Sequence, residues 1–216
     1  LQPDCDRKTF IQNRLLESGI KSSVLVIDSK EHIYVDFPSG CYSSRYKLKT
    51  LVAHYDRVPG TCGANDNSSG VFALLEAAKK IAVLDSVHNV RIIFTDGEEE
   101  GRFGVVSQGS YSLAKKMKEL NEDDGDVFVF DCVGRGEVPV ICEIDLPPKI
   151  DKLFSRKYIN LISQVQNIFN RISSFNNVML PASYSDNAGF LANGIPAVAI
   201  TMLPRDEVLT YMSNLK

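Results

Sequence analysis

Apolar positions along this chain form short continuous runs, separated by stretches with a three-to-four-residue beat. Val24 to Ile27 and Ile33 to Phe37 flank a turn at Ser29 and Lys30, which predicts a β-hairpin. Leu48 to Ala53, Val90 to Phe94 and Val127 to Phe130 are apolar runs of strand length, the pattern of strands covered on both faces. Val178 to Leu180 and Ala197 to Thr201 add two shorter strands. In 68–84 the period changes: Val71, Leu74, Leu75, Ala78 and Ile81 line one side of a helix. Helices are also predicted over 4–18, where Gly19 is the stop, and over 106–118, 151–172 and 186–193. Alternation of strands and helices predicts an α/β fold: a three-layer α/β/α sandwich on a mixed, mostly parallel sheet with one antiparallel hairpin at its edge.

Composition narrows the possibilities. A length of 216 residues suits one domain over 1–216. A net charge of −3 gives no basic footprint, so neither nucleic acid nor an anionic membrane is an expected partner. No apolar run approaches the roughly 20 residues that span a bilayer. The chain starts at Leu1 rather than Met, so its compartment is open, cytoplasmic or exported. Five scattered cysteines, with no CxxC pair, are expected to be reduced thiols and make a poor structural zinc site.

The acids carry more information. Ligands of open α/β sheets bind outside the carboxyl ends of the strands. Leu48 to Ala53 runs into His54 and Asp56, Val90 to Phe94 into Asp96, Glu98, Glu99 and Glu100, and Val127 to Phe130 into Asp131. Asp66 stands just before the 68–84 helix. Each has an ordinary reading by itself: a surface His beside a loop acid, a helix cap, a solvated acidic loop. Together they crowd carboxylates on one rim, and a bound divalent metal removes the resulting repulsion. A His with several carboxylates suits Zn²⁺, with Mn²⁺ or Co²⁺ as substitutes.

Four segments, AHYDRVPGTCGANDNSSGVFALLEAA, IIFTDGEEEGRFG, FVFDCVG and SYSDNAGFLANGIPAVAI, resemble in order and spacing the co-catalytic di-zinc aminopeptidases, the zinc-peptidase group that also contains the glutaminyl cyclases. They cover roughly 48–203 and imply a zinc-exopeptidase-like fold and two Zn²⁺ ions. By this resemblance His54 and Asp131 are terminal ligands of one zinc, Asp66 bridges the pair, and Glu99 binds the second zinc. Asp56 orients His54, and Glu98 is the general base acting on a zinc-bridging water. Gly97 and Gly101 give the acidic loop its freedom of φ, Gly60 and Gly63 turn the loop before Asp66, and Glu100 is exposed and dispensable. Ser185-Asp186-Asn187 stands where the family often has Ser-Asp-His near the substrate, and Ser185 is expected to cap the 186–193 helix.

The family pattern also holds a late His on the second zinc. Of the three histidines, His32 lies in the hairpin and His88 at the wrong end of a strand. Three readings follow: the domain is truncated, with the His and a final helix beyond Lys216; Asp206 or Glu207 replaces it; or the chain is a homologue with one metal and no peptidase activity. The implied function is an aminopeptidase acting on peptides with a free N-terminus. The alternatives are a glutaminyl-cyclase-like acyltransferase, a carboxypeptidase or deacylase, and an inactive binding module.

Overall fold

The computed structural model describes residues 5–144, 151–173, 175, 177–181 and 185–214. The helix expected from Asp4, which lies outside the described residues, begins later: α1 spans Arg7–Glu17, and the Asp6 carboxylate caps it by accepting from the Thr9 amide at 3.1 Å. The hairpin follows as β1 (Lys21–Ile27) and β2 (Lys30–Asp36). Its turn is Asp28-Ser29, one residue before the expected place, with φ of 47° and 65° and Ile27 paired to Lys30. Two consecutive left-handed residues suit the right-handed twist of the flanking strands.

The expected central strands are β3 (Leu48–His54), β4 (Val90–Thr95), β5 (Gly125–Phe130) and β8 (Ala197–Leu203). β7 (Val178–Pro181) stands at the far edge. Between β8 and β7 lies an unexpected strand, β6 (Val138–Glu143), antiparallel to β8. Pro139 argues against a strand there, because proline has no amide hydrogen for a ladder. The sheet therefore has eight strands in the order β1-β2-β4-β3-β5-β8-β6-β7 and reverses direction near both edges. The parallel core β4-β3-β5-β8 is as predicted.

Side chains alternate across that core with period two. Ala53, Ile92, Phe94, Phe128, Val198 and Ile200 face α1, α2 (Gly70–Ala82) and α4 (Lys152–Ile172). Val52, Ile93, Val127, Val129, Ala197 and Ala199 face α3 (Gly109–Glu119) and α5 (Asp186–Ala192). This is the three-layer sandwich that the alternation implied. A last helix, α6 (Arg205–Asn214), follows β8 directly and contributes Val208 to a small cluster with Val138, Val140 and Leu180. It has no counterpart in the sequence reading, because Val208 is its one buried residue. Among the described residues no helix is long and apolar enough to cross a membrane.

Candidate metal centre

Parallel strands put their carboxyl ends on one rim, and the site is built there. His54 is the last residue of β3 and is fully buried. Its Nε2 lies 3.1 Å from Asp66 Oδ1 and 3.5 Å from Asp131 Oδ1, and its Nδ1 lies 3.3 Å from Asp56 Oδ1. None of these contacts has hydrogen-bond alignment, so both ring nitrogens are buried without a hydrogen-bond partner, as is Asp131 Oδ1. Donor atoms of His54, Asp66 and Glu99 lie within 4.8 Å of one another, and so do those of Asp66, Asp131 and Cys132. Asp66 belongs to both groups.

The supports of these side chains follow from local structure. Asp56 does more than stand behind His54. Its carboxylate accepts the amides of Glu98 at 3.1 Å and Glu99 at 3.0 Å, so one acid holds the acidic loop while lying 3.3 Å from the imidazole Nδ1. Gly97 enters that loop at φ 79°, as expected. Gly101 has no positive φ; its role is close packing, since a Cβ there would stand 2.7 Å from Gln108 Nε2. Gly60 (φ 86°) and Gly63 (φ 52°) turn the loop before Asp66 as predicted. Asn67, next in the chain, is fully buried and ties Asp66 to the end of β5. Its Nδ2 donates to the Phe130 carbonyl at 2.8 Å, and its Oδ1 accepts from Gly70 N at 3.0 Å and Cys132 N at 3.3 Å. Arg7 of α1 holds the same loop from behind, donating to the carbonyls of Tyr55 at 3.1 Å and Cys62 at 2.9 Å.

Not every expected residue joins the cluster. Asp96 turns away: its Oδ2 accepts from Glu31 N at 3.0 Å and its own amide donates to His32 Nδ1 at 3.3 Å, which joins β4 to β2. Glu100 is exposed, as expected, and pairs with Lys30. Ser185 occupies the N-cap position of α5 but its hydroxyl makes no capping bond; the Ser185 amide instead donates to Asn187 Oδ1 at 3.3 Å. Ser183 and Tyr184 of the fourth motif lie outside the described residues. Glu207 pairs with Arg135 and Asp206 is exposed on the first turn of α6, so neither acid takes the place of a late His. His88 packs against Phe37 and Tyr42, and burial pushes His32 down to about 4.

Glu98, Glu99, Asp66 and Asp131 line a cavity of about 530 Å³, with Val58, Arg102 and Gln108 on its walls. Two further residues surround Glu98: Gln108, which carries no sequence motif, and Asp186 of the fourth motif. Gln108, buried just before α3, donates its Nε2 to Glu98 Oε1 at 3.1 Å. Asp186 is fully buried in α5 and accepts the Thr95 hydroxyl. Burial, opposed by His54 and reinforced by Asp186 and Asp131, pushes the Glu98 carboxyl up to about 8. Burial also pushes Asp186 up to about 6. Burial works against charge on His54, but Asp131, Asp56 and Asp66 outweigh it and hold the imidazole well above its ordinary range. The cluster thus draws a positive charge into a buried place. A divalent cation meets that demand, and orphaned His54 Nε2 beside two carboxylates is a donor set that fits one.

Residues 43–211 match the profile of peptidase family M28. A stretch of 68 residues, 32% of this chain, is 37% identical to Aminopeptidase YwaD of Bacillus subtilis (strain 168), of whose length it spans 15%. The fold is similar to that of Porphyromonas gingivalis glutaminyl cyclase, with a TM-score of 0.69, 21% identity, and 92% of this chain covering 74% of that one. A Zn-dependent exopeptidase from Parabacteroides distasonis ATCC 8503 has a TM-score of 0.67 at 20% identity, with 93% of this chain covering 78% of that one.

Proposed function

The chain belongs to peptidase family M28, and from that premise we propose that it is a zinc-dependent aminopeptidase whose metals are held by His54, Asp66, Glu99 and Asp131. The observation that carries this reading is the buried His54 ring, with no hydrogen-bond partner and its Nε2 turned to Asp66 and Asp131. Asp66, shared by both donor groups, would bridge two ions, with Glu99 on the second. Zinc bound there supplies Lewis acidity and brings the pKa of a water toward neutrality.

The protein's own residues supply the rest. Glu98 takes the proton from the water that attacks the scissile carbonyl. As the new C–O bond forms and the C–N bond breaks, the same carboxyl returns the proton to the leaving amine. Gln108 holds Glu98 Oε1 and leaves the second oxygen to the cavity. A volume of about 530 Å³ accommodates one residue and its scissile bond. Asp56 keeps the His54 ring and the Glu98-Glu99 turn in one arrangement. Asp56→Asn is therefore expected to lower metal affinity or kcat/KM by about 10–100-fold, the usual cost of a lost outer-shell partner. Titration calorimetry with zinc checks it.

Hydrolysis of aminoacyl chromogenic amides tests the reaction class. A free α-amine should be required, an N-acetylated amide should be refused, and a chelator should abolish turnover that zinc restores. Cyclisation of an N-terminal glutamine without amide hydrolysis would replace this reading with acyl transfer. Turnover unaffected by chelation would remove the metal from it.

A further inference from the structure

Among the described residues that line the acidic cavity, Arg102 alone is cationic. It belongs to a 3₁₀ stretch, Glu99–Phe103, held by the Gly101 amide on the Glu98 carbonyl at 2.7 Å and the Gly104 amide on the Gly101 carbonyl at 2.8 Å. Residues three apart eclipse in such a turn, about 6 Å from each other along its axis. Glu99 and Arg102 are so placed, and both line the cavity. That spacing suits an ion pair, yet none forms. Glu99 Oε1 accepts from the Val58 amide at 3.2 Å, and the Arg102 guanidinium lies over the Phe103 ring, its Cζ 4.8 Å from the centroid. Arg102 is exposed and so is Phe103, so this stack holds the cation where the cavity meets solvent without burying it. Among the described residues no carboxylate pairs with Arg102.

We propose that Arg102 receives a carboxylate carried by the residue that leaves the substrate. The inference rests on the aminopeptidase reading and gives it a substrate class. That class is dipeptides, whose leaving residue ends in a free α-carboxylate, and peptides whose leaving residue has an acidic side chain. Charge sets the direction. A free α-amine is drawn to the Asp66, Glu98, Glu99 and Asp131 side of the cavity and repelled by a guanidinium. The carboxylate of a dipeptide is at the opposite end from its amine. One residue of extended chain spans about 3.3–3.6 Å. A scissile carbonyl beside Glu99 therefore puts the next residue's carboxylate within reach of a side chain rooted about 6 Å along the turn. The planar fork of the guanidinium takes both oxygens of such a group. An acid on the first residue would instead share the acidic end with its own amine.

Two ratios of kcat/KM on the zinc-loaded chain test this. Leucyl-leucine over leucyl-leucinamide reads the α-carboxylate, and leucyl-aspartate α-amide over leucyl-asparagine α-amide reads the acidic side chain. At least one ratio should be about tenfold, the size of one charge-assisted contact. It should drop to near one in Arg102→Gln and below one in Arg102→Glu. Arg102 is exposed and outside the core, so both variants should fold. Both ratios near one in the wild type, or a ratio that survives Arg102→Gln, would overturn the contact and leave the aminopeptidase reading standing. Reduced-bond analogues of the same four peptides, which cannot be cleaved, give the same discrimination as ratios of Kd by titration calorimetry. No hydrolysis of any of the four, with a Kd ratio that still depends on Arg102, would overturn the aminopeptidase and keep the contact. No hydrolysis and equal Kd values would overturn both.

Discussion

Glu98→Gln is expected to lower kcat by about a hundred- to ten-thousand-fold, the range that a positioned general base contributes. The substitution keeps the size of the side chain and an oxygen that can accept from Gln108 Nε2, now 3.1 Å from Glu98 Oε1. It removes only the ability to take and return a proton. Bound zinc, melting temperature and KM should stay close to wild type. That combination separates a proton carrier from a structural acid, whose loss would disturb folding or metal content together with rate. Steady-state kinetics beside a zinc assay on the same preparations reads both. Retained activity in Glu98→Gln would move the base to another group, with Asp186, the fully buried acid whose charge helps to push Glu98 up, the first to examine.

Asp66→Ala is expected to abolish zinc binding and activity together. Asp66 is the one residue common to both donor groups, so its loss strips an oxygen from the group with His54 and Glu99 and from the group with Asp131 at once. Stability reveals the difference. At zinc near a hundred times Kd, the wild type should gain about 2.7 kcal/mol by mass action. For a chain of this size that is about 5–11 °C in Tm. Asp66→Ala should gain nothing from zinc. Without metal it should melt close to wild type, because Asp66 is more than half exposed and losing its attraction for the His54 ring is offset by relief of its repulsion of Glu99. Scanning calorimetry with and without zinc checks both statements. A metal-free variant that melts well below wild type would show that Asp66 serves the fold instead.

Much of this site was legible in the sequence because of where buried parallel strands end. Continuous apolar runs marked β3, β4 and β5, and the acids and His54 follow those runs directly, so convergence on one rim needed no knowledge of the loops. What escaped depended on contacts distant in sequence. Gln108 meets Glu98 only because the 99–107 turns fold back, and no local pattern announces that. Asn67 reads as part of a helix start, yet its side chain reaches across to Phe130 and Cys132. Pro139 hid β6, although Val140, Ile141 and Cys142 form a short apolar run in it. Helix α6 has too narrow a buried face to show a period, and so Asp206 and Glu207 read as candidate ligands when they lie on its first turn. Ser185 departs from expectation: a serine before a helix is ordinarily its cap, but here its hydroxyl makes no capping bond and its own amide donates to Asn187 Oδ1.

The most direct test of the metal centre is anomalous diffraction at the zinc edge from crystals grown with zinc. One peak is expected within about 2.0–2.2 Å of His54 Nε2 and carboxylate oxygens of Asp66 and Asp131, and a second beside Asp66 and Glu99. Zinc bound only elsewhere, or no anomalous density between His54 and Asp66, would contradict the assignment of this cluster as a metal site.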